Sequence, residues 1–238
     1  MIPPEQDIVR RYGLSKGWHL EPRTVLLEGT SDVALIMLAA GLFRQATRKD
    51  ILSDIAIVAA GERDRGGTRG VIRELVTLRN LGGACLSPAG RPVYRFIGLF
   101  DDDAAGRQAV SSARSLDASI VEFRDLFRLR PVMPLPGNLD PSTVQRCFEE
   151  KNSVYKGISW ELEDLVGAAL FDLFVEHYPT AVIRTETRED AIHRELTRDG
   201  KHNLLKFCEA HADLNNLRAV VGLLHSLRRL LALPAIDE

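Results

Sequence analysis

The stretch YRFIGLFDDDAAG, residues 94–106, contains the pattern from which the fold class follows. An apolar run is followed at once by three acids, and a helical pattern opens behind them. A buried strand that ends in acidic side chains is a common way for an open α/β sheet to build a site. Three neighbouring carboxylates repel one another unless a cation or solvent offsets their charge. The simpler interpretation is an acidic helix N-terminus, where carboxylates interact favourably with the helix dipole.

A second stretch upstream, TVLLEGTSD at residues 24–32, has the same design. A short β-like run ends at Glu28, Gly29 makes a turn, and a helical pattern follows, for which Ser31 is the predicted cap. Because Asp32 falls in the first helical turn, Glu28 and Asp32 are expected to face the same side of the sheet.

The first half of the chain alternates β-like runs with helical patterns. This alternation predicts a parallel sheet with right-handed connections and helices on its faces, so the carboxyl ends of its strands share one edge. Glu28, Gly61 and Asp101 are therefore expected along one rim. The predicted strands cover residues 24–27, 54–60, 93–100 and 118–123, and the predicted helices cover residues 5–12, 32–45, 71–80 and 104–116.

The two acidic stretches together carry a resemblance. A strand ending in Glu-Gly-x-x-Asp and a later strand ending in Asp-x-Asp-x-x-Gly resemble the TOPRIM domain of topoisomerases, bacterial primases, recombination mediators and OLD-type nucleases. The resemblance covers roughly residues 20–130 and implies a TOPRIM-like parallel sheet flanked by helices. The matching residues are Glu28, Gly29, Asp32, Asp101, Asp103 and Gly106.

The pattern changes after Arg128. Residues 130–141 hold four prolines and are expected to be extended or turning. We expect a TOPRIM α/β core in residues 1–130 and a mostly helical part in residues 131–238 that completes the site. Its predicted helices cover residues 142–151, 159–177, 188–197, 201–211 and 214–231, with a turn at Asp199-Gly200 between the third and fourth.

Two features of this second part resemble the OLD-type nuclease branch. In WELEDLV, residues 160–166, Glu163 matches a glutamate that adds a metal ligand in that branch, and Glu161 is the alternative because the proline-containing segment blurs the alignment. Lys201, at the start of a late helix, matches a lysine that stabilises charge on the scissile phosphate. The simpler interpretations are an acidic helix start and a solvated lysine.

The resemblance implies a two-metal site that binds Mg²⁺ or Mn²⁺, cations that prefer hard oxygen ligands. Glu28 would also act as general acid or base, and Lys201 would stabilise the transition state. Asp102 is expected to point away from the cations, since neighbouring side chains diverge at a strand end. The implied metal ligands are Glu28, Asp32, Asp101, Asp103 and Glu163.

Composition limits the class of protein. The net charge of −2 gives no general basicity, which argues against non-specific coating of nucleic acid. The many arginines suit phosphate binding, although a GC-rich genome produces the same bias. Cys85, Cys147 and Cys208 have no metal-ligand spacing and are expected to be reduced. Since no signal peptide or long apolar run is present, we expect a cytoplasmic protein without membrane contact.

Motifs that the sequence lacks distinguish between the branches of the TOPRIM superfamily. The chain has no cysteine cluster, no Walker motif and no room for a tyrosine-bearing topoisomerase domain. The resemblance therefore implies a metal-dependent nuclease acting on DNA or RNA, as the effector of a bacterial anti-phage system whose ABC-type ATPase is a separate chain. The alternatives are a phosphoacceptor receiver domain and a non-catalytic TOPRIM module that binds nucleic acid or a protein partner.

Two further stretches of the sequence each allow two interpretations. The glycine-rich stretch 61–70 is either a phosphate contact or an ordinary connection from strand to helix. The apolar last helix, residues 217–233, is either a homodimer interface or a helix packed against the sheet, and packing is the preferred interpretation.

Overall fold

The computed structural model describes residues 7–60 and 67–236, and within them the central feature is a parallel sheet. The strands are β1 (Arg23–Leu27), β2 (Ile55–Ala59), β3 (Arg95–Phe100) and β4 (Leu126–Arg128). Their order in the sheet is β2-β1-β3-β4, and every neighbouring pair is parallel. The predicted α/β class with a parallel sheet is confirmed.

Helices cover both faces of this sheet, because side chains along each buried strand alternate between two apolar clusters. Leu26 and Phe96 point into one cluster, and Val25 and Ile97 point into the other. Each such buried side chain contributes roughly 2 kcal/mol to folding. The first cluster is covered by α1 (Ile8–Ser15), α3 (Gly67–Gly83) and α4 (Ala104–Leu116), and the second by α2 (Thr30–Thr47) and the C-terminal part.

The C-terminal part shares its apolar core with the α2 face of the sheet. Its last helix, α8 (Arg218–Leu230), buries Leu224, Leu227 and Leu230 completely. The helix is packed within the chain, as the preferred interpretation has it, but its main partner is α2 and not the sheet that was predicted. The helices of this part are α5 (Pro141–Lys151), α6 (Ala168–His177), α7 (Arg198–His211) and α8 (Arg218–Leu230), with short 3-10 helices at Ser153–Tyr155 and Leu162–Leu165.

The fourth strand lies later than predicted. Residues 118–123 are irregular, with Glu122 in an isolated bridge to Leu126. A turn follows at residues 123–125, where Phe123 has φ of 68°, and the strand is Leu126–Arg128. The carboxylate of Asp125 accepts a hydrogen bond from the Val121 N–H at 2.8 Å and closes this turn. The prediction of a strand over residues 118–123 from their β-branched side chains is therefore wrong, because a local side-chain hydrogen bond competes with strand pairing.

The predicted helix 159–177 is interrupted. A 3-10 helix at Leu162–Leu165 is followed by extended backbone at Val166, and α6 begins only at Ala168. The N–H of Gly167 donates to the Asn216 carbonyl at 2.7 Å, and a Cβ at Gly167 would lie 3.0 Å from that oxygen. The close approach of the segment that precedes α8 ends the helical pattern here.

The predicted helix 188–197 is wrong, because these residues belong to an antiparallel hairpin. The hairpin consists of β5 (Val182–Arg188) and β6 (Ala191–Leu196), so the C-terminal part is not wholly helical. Helix-forming Glu and Arg residues suggest a helix, yet pairing with the β-branched strand β5 overrides that local preference. Asp199 and Gly200 are not a turn between two helices but the first turn of α7.

The N-terminal helix begins later than predicted, at Ile8, and the predicted start at Glu5 lies outside the described residues. Residues 61–66 of the glycine-rich stretch also lie outside them, whereas residues 67–70 begin α3. Across residues 7–60 and 67–236, none of the helices has the length and apolar character needed to cross a bilayer.

Candidate active site

Glu28 and Asp101 lie at the same edge of the sheet. β1 and β3 are hydrogen-bonded neighbours, with Leu26 opposite Gly98, and Glu28 and Asp101 directly follow the ends of these strands. Burial and the charges of Asp32 and Asp103 raise the pKa of Glu28 to about 7, against an opposing hydrogen bond from the Asp101 backbone. The predicted meeting of these acids on one rim is what the structure has, although Gly61 falls outside the described residues.

Asp32 stabilises the start of α2 and also lies near the carboxylate of Glu28. Its Oδ2 accepts a hydrogen bond from the Gly29 N–H at 2.9 Å, so Asp32, and not the predicted Ser31, closes the start of α2. Burial raises the pKa of Asp32, and the Gly29 N–H and the ammonium of Lys201 oppose that rise. The carboxylate is therefore held in place by a backbone contact while it faces the other acids.

Asp103 caps α4 in the same way. Its Oδ1 accepts a hydrogen bond from the Gly106 N–H at 2.6 Å. Gly106 is needed because the helix start approaches the end of β3 closely: a Cβ at this position would lie 1.9 Å from the Asp101 carbonyl oxygen. The last glycine of the Asp-x-Asp-x-x-Gly pattern therefore sets the position of Asp101.

Replacing Gly106 by Ala is expected to displace Asp101 and to lower the free energy of unfolding by about 3 kcal/mol, since backbone and not a flexible side chain must move. The matched control is Gly41→Ala on α2, where a Cβ meets nothing within 4 Å. That variant should gain up to about 1 kcal/mol from helix propensity. Urea denaturation of both variants measures the difference, and equal stabilities would contradict the close-approach argument.

Glu161 and Glu163 are brought to the same rim by contacts that begin at β3. The N–H of Asp102 donates to the Trp160 carbonyl at 2.8 Å, which ties the following turn to the strand end. Asp164 then closes the turn by accepting a hydrogen bond from the Glu161 N–H at 2.8 Å. This turn lies far from the sheet in sequence but next to it in space.

Asp164 also joins the turn to the hairpin. Its carboxylate contacts Nδ1 of the buried His193 at 2.7 Å and accepts a hydrogen bond from the Arg194 N–H at 3.1 Å. Burial acts to lower the pKa of His193, but the hydrogen bond and the charge of Asp164 outweigh it and raise the pKa. The hairpin therefore holds the turn that carries Glu163.

Lys201 lies among these acids. Its Nζ is 2.9 Å from Glu161 Oε2 and 3.3 Å from Glu163 Oε1. Burial acts to lower the pKa of Lys201, but the charges of Glu163, Asp101 and Glu161 reverse the shift and raise it. The ammonium is therefore held charged beside both glutamates, in a cleft of about 10 Å³ that Asp32 and Leu35 also line.

Asp101 is at the centre of the charge cluster. Burial raises its pKa well above the ordinary value, and the nearby carboxylates of Glu163, Asp32 and Glu28 act in the same direction. Among these carboxylates, Glu163, which is 6% exposed, has the largest effect on the pKa of Asp101. Burial also raises the pKa of Glu163 itself. Of the two alternatives in the sequence, Glu163 and not Glu161 is the main electrostatic neighbour of Asp101.

The raised pKa of Glu28 predicts how stability depends on pH in the absence of metal. The folded state binds this proton more tightly than the unfolded state, so stability falls as pH rises from about 4.5 to about 7. Glu28→Gln removes the effect and should stabilise the protein by about 2 kcal/mol at pH 8 but not at pH 4. Denaturation in EDTA at both pH values measures this, with the exposed Glu176→Gln as control. A gain from Glu28→Gln that is equal at both pH values would contradict it.

Asp102 points away from this cluster, as the sequence predicts. It is 2% exposed, and its carboxylate contacts Arg128 Nη1 at 2.9 Å, Arg107 Nη1 at 3.4 Å and, most closely, Arg130. The middle acid of the three is therefore neutralised by arginines, while the outer two face the rim.

The carboxylate oxygens of the acids in this cluster are suitable ligands for a divalent cation, but the side chains that the structure describes are not grouped closely enough to form a metal site without rearrangement. Within residues 7–60 and 67–236, no three His, Cys, Asp or Glu side chains are grouped as a ready metal site. The acids with raised pKa values nevertheless outnumber the single ammonium of Lys201. They hold their protons more tightly than usual because their negative forms are buried and repel one another, and a bound divalent cation would stabilise those negative forms. Hard oxygen donors of this kind favour Mg²⁺ or Mn²⁺.

No relative supplies an identity. A scan against protein-family models finds no matching family, and neither the curated proteins nor the solved structures contain a match. Any functional statement about this chain therefore depends on its own residues and their geometry.

Sequence reasoning missed three kinds of supporting residue. It gave no role to Asp164 and His193, which position the Glu163 turn, or to the Trp160 carbonyl, which anchors that turn. It also missed the arginines around Asp102. The sequence AIHREL, residues 191–196, has no apolar/polar alternation, so the burial of Ala191 and His193 in β6 is visible only in the structure.

Proposed function

We propose that this chain is a TOPRIM-type nuclease that hydrolyses phosphodiester bonds in DNA or RNA with Mg²⁺ or Mn²⁺. The observation that carries the proposal is the meeting of Glu28 and Asp101 at the ends of adjacent parallel strands, with Glu163 and Lys201 brought to the same place. A structural salt-bridge cluster needs no such convergence of acids from three segments and a lysine from a fourth, and it would hold equal numbers of acids and cations.

The ligands would come from two groups of residues. Glu28, Asp101 and Asp103 come from the strand ends, and Asp32 and Glu163 come from the two turns beside them. When bound, Mg²⁺ or Mn²⁺ would supply Lewis acidity at the phosphate and lower the pKa of an attacking water. The site is fitted to that task by its hard oxygen donors and by its buried carboxyl groups, which outnumber the ammonium of Lys201 and which a cation would hold ionised.

The chain's own residues would bind and orient the phosphate and move protons. Lys201 Nζ, now 3.3 Å from Glu163 Oε1, carries a positive charge on a flexible side chain that can turn towards a non-bridging phosphate oxygen. Without metal the pKa of Glu28 is about 7. A bound cation would lower this pKa, so Glu28 would be ionised and able to accept a proton from a water. Asp32 and Asp103 keep one oxygen each on a backbone N–H, which fixes their orientation.

The cellular role we propose is that of the effector in an anti-phage system whose ABC-type ATPase is a separate chain. This step is by analogy with OLD-type nucleases, in which an ATPase accompanies the TOPRIM part. It predicts slow cleavage by the isolated chain and co-purification of an ATPase. Fast unregulated cleavage without an associated ATPase would contradict this role but not the nuclease chemistry.

One observation favours a second candidate, a non-catalytic module that binds nucleic acid or a protein partner. Lys201 already pairs with Glu161 and Glu163 at 2.9 and 3.3 Å, so part of the acidic charge is neutralised within the protein. In this case the cluster would stabilise the junction of the sheet with the C-terminal part and would bind no cation.

The direct test is incubation of the purified chain with supercoiled plasmid, single-stranded DNA and tRNA, each with Mg²⁺, Mn²⁺ or EDTA. We expect cleavage of at least one substrate with a divalent cation and none in EDTA. Cleavage that persists in EDTA, or an absence of cleavage for all three substrates with both cations, would contradict the proposal. A gel shift with nucleic acid in EDTA, combined with no cleavage of any substrate in Mg²⁺ or Mn²⁺, would favour the binding module.

A further inference from the structure

A second pocket, which holds three arginines, lies at the opposite edge of the sheet. Its volume is about 220 Å³, and it is lined by Arg79 of α3, Arg95 at the start of β3 and Arg124 in the turn before β4. Because Arg95 and Asp101 are at opposite ends of one extended segment, they are roughly 20 Å apart. This pocket is therefore separate from the acid cluster.

Arg95 is the unusual residue of the pocket. Its Nε is fully buried and has no hydrogen-bond partner among the residues that the structure describes. Burial lowers the pKa of Arg95, and the charges of Arg23 and Arg124 act in the same direction against Asp125. A guanidinium nevertheless stays charged at neutral pH, and native proteins rarely leave a buried donor of this kind unsatisfied.

The carboxylates nearby are already in use. Asp125 lies 2.7 Å from Arg124 Nη2 and 3.7 Å from Arg79 Nε, and it also closes the turn through Val121. Asp117 lies 3.5 Å from Arg79 Nη1. The arginines around the pocket therefore outnumber the acids, and the positive charge in excess is that of Arg95.

We propose that this pocket binds a phosphate monoester, with the Arg95 guanidinium as its principal donor and Arg79 and Arg124 at its sides. A phosphate monoester is an anion and so is attracted by the excess positive charge, and its oxygens match the fork of N–H groups that a guanidinium presents. The buried rings of Tyr94 and Phe96, stacked 5.7 Å apart, form an apolar wall beside it. The two sources of this chemistry are a free mononucleotide and the phosphorylated end of a nucleic-acid strand.

The test is calorimetric titration with inorganic phosphate, AMP and a short 5′-phosphorylated oligonucleotide, at low ionic strength and in EDTA. We expect wild type to bind phosphate and AMP, and Arg95→Gln to bind both at least about tenfold more weakly. The matched control is Arg114→Gln, which removes an exposed arginine of α4 and should bind as wild type does. Preference for the phosphorylated oligonucleotide over its unphosphorylated form and over AMP would identify a strand end as the ligand.

A second variant keeps every charge and fills the space. Gly83 lines the pocket, and a Cβ there meets nothing within 4 Å, so Gly83→Leu should fold normally and still weaken phosphate binding. Phosphate should raise the melting temperature of wild type and Arg114→Gln but not that of Arg95→Gln.

The proposal is overturned if wild type binds no phosphate at millimolar concentration, or if Arg95→Gln binds it within twofold of wild type. It is also overturned if Arg95→Gln unfolds at a much lower temperature without phosphate, since the guanidinium would then be satisfied within the fold. Because the titrations contain EDTA, these outcomes are independent of the nuclease proposal.

Discussion

Asp101→Asn is expected to reduce Mg²⁺-dependent cleavage roughly 10³-fold while the fold is retained. Asp101 is the residue on which the charges of Glu163, Asp32 and Glu28 converge. The amide keeps the size of the side chain but removes its negative charge, so affinity for a divalent cation falls. Because a buried carboxylate among other acids is unfavourable, the metal-free variant should be at least as stable as wild type.

The matched control for this variant is Asp172→Asn. The Asp172 side chain is 65% exposed and pairs with Arg194 at 2.8 Å, an exposed contact of small energetic value. The measurement is the cleavage rate against Mg²⁺ concentration, together with thermal unfolding in EDTA. If Asp101→Asn cleaves at the wild-type rate, the acid cluster is not the catalytic site. If it loses its fold, the carboxylate is structural.

Asp102→Ala is expected to lower the free energy of unfolding by about 4 kcal/mol, because it leaves buried guanidinium groups without their common counter-ion. Arg128 and Arg130 contact this carboxylate directly, and their side chains are largely shielded from water. For a chain of this length the change corresponds to a fall in melting temperature of about 10 °C. Differential scanning calorimetry measures it, with Asp172→Asn again as control.

A double-mutant cycle separates the loss of the ion pairs from the loss of packing. Arg130→Met in the Asp102→Ala background removes one of the uncompensated charges and should restore part of the lost stability. If the two changes are additive, the coupling between Asp102 and Arg130 is negligible, and the arginine network does not stabilise the end of β3.

The three consecutive acids after β3 thus have three different environments. Asp101 faces the rim, Asp102 is buried among arginines, and Asp103 caps α4 through Gly106. The spacing of the acids in the Asp-x-Asp pattern follows from this division, since side chains at the end of a strand point alternately to opposite sides. A substitution of the middle acid should therefore affect folding before it affects chemistry.

The sequence by itself determined the parallel sheet and the place of Glu28 and Asp101 on its rim. β1 with α2, and β3 with α4, are local units whose apolar runs, turns and caps are readable within about 25 residues. Parallel connections of one hand then place their strand ends at one edge. The class of the fold is therefore encoded in short-range patterns, and it is confirmed.

Only the tertiary structure decided the position of β4, the hairpin β5–β6 and the arginine pocket around Arg95. The resemblance predicted Glu163 and Lys201 for the site, and the tertiary structure supplied the contacts that bring them to the rim. Each of these features depends on residues that are distant in sequence. The Asp102 N–H donates a hydrogen bond to the Trp160 carbonyl, and the Asp164 carboxylate contacts the His193 ring. The charges of Arg95 and Arg124 act on each other at the edge of the sheet. Such contacts form only when the sheet and the C-terminal part pack together, because their energies come from shared burial and charge pairing and not from local backbone preference.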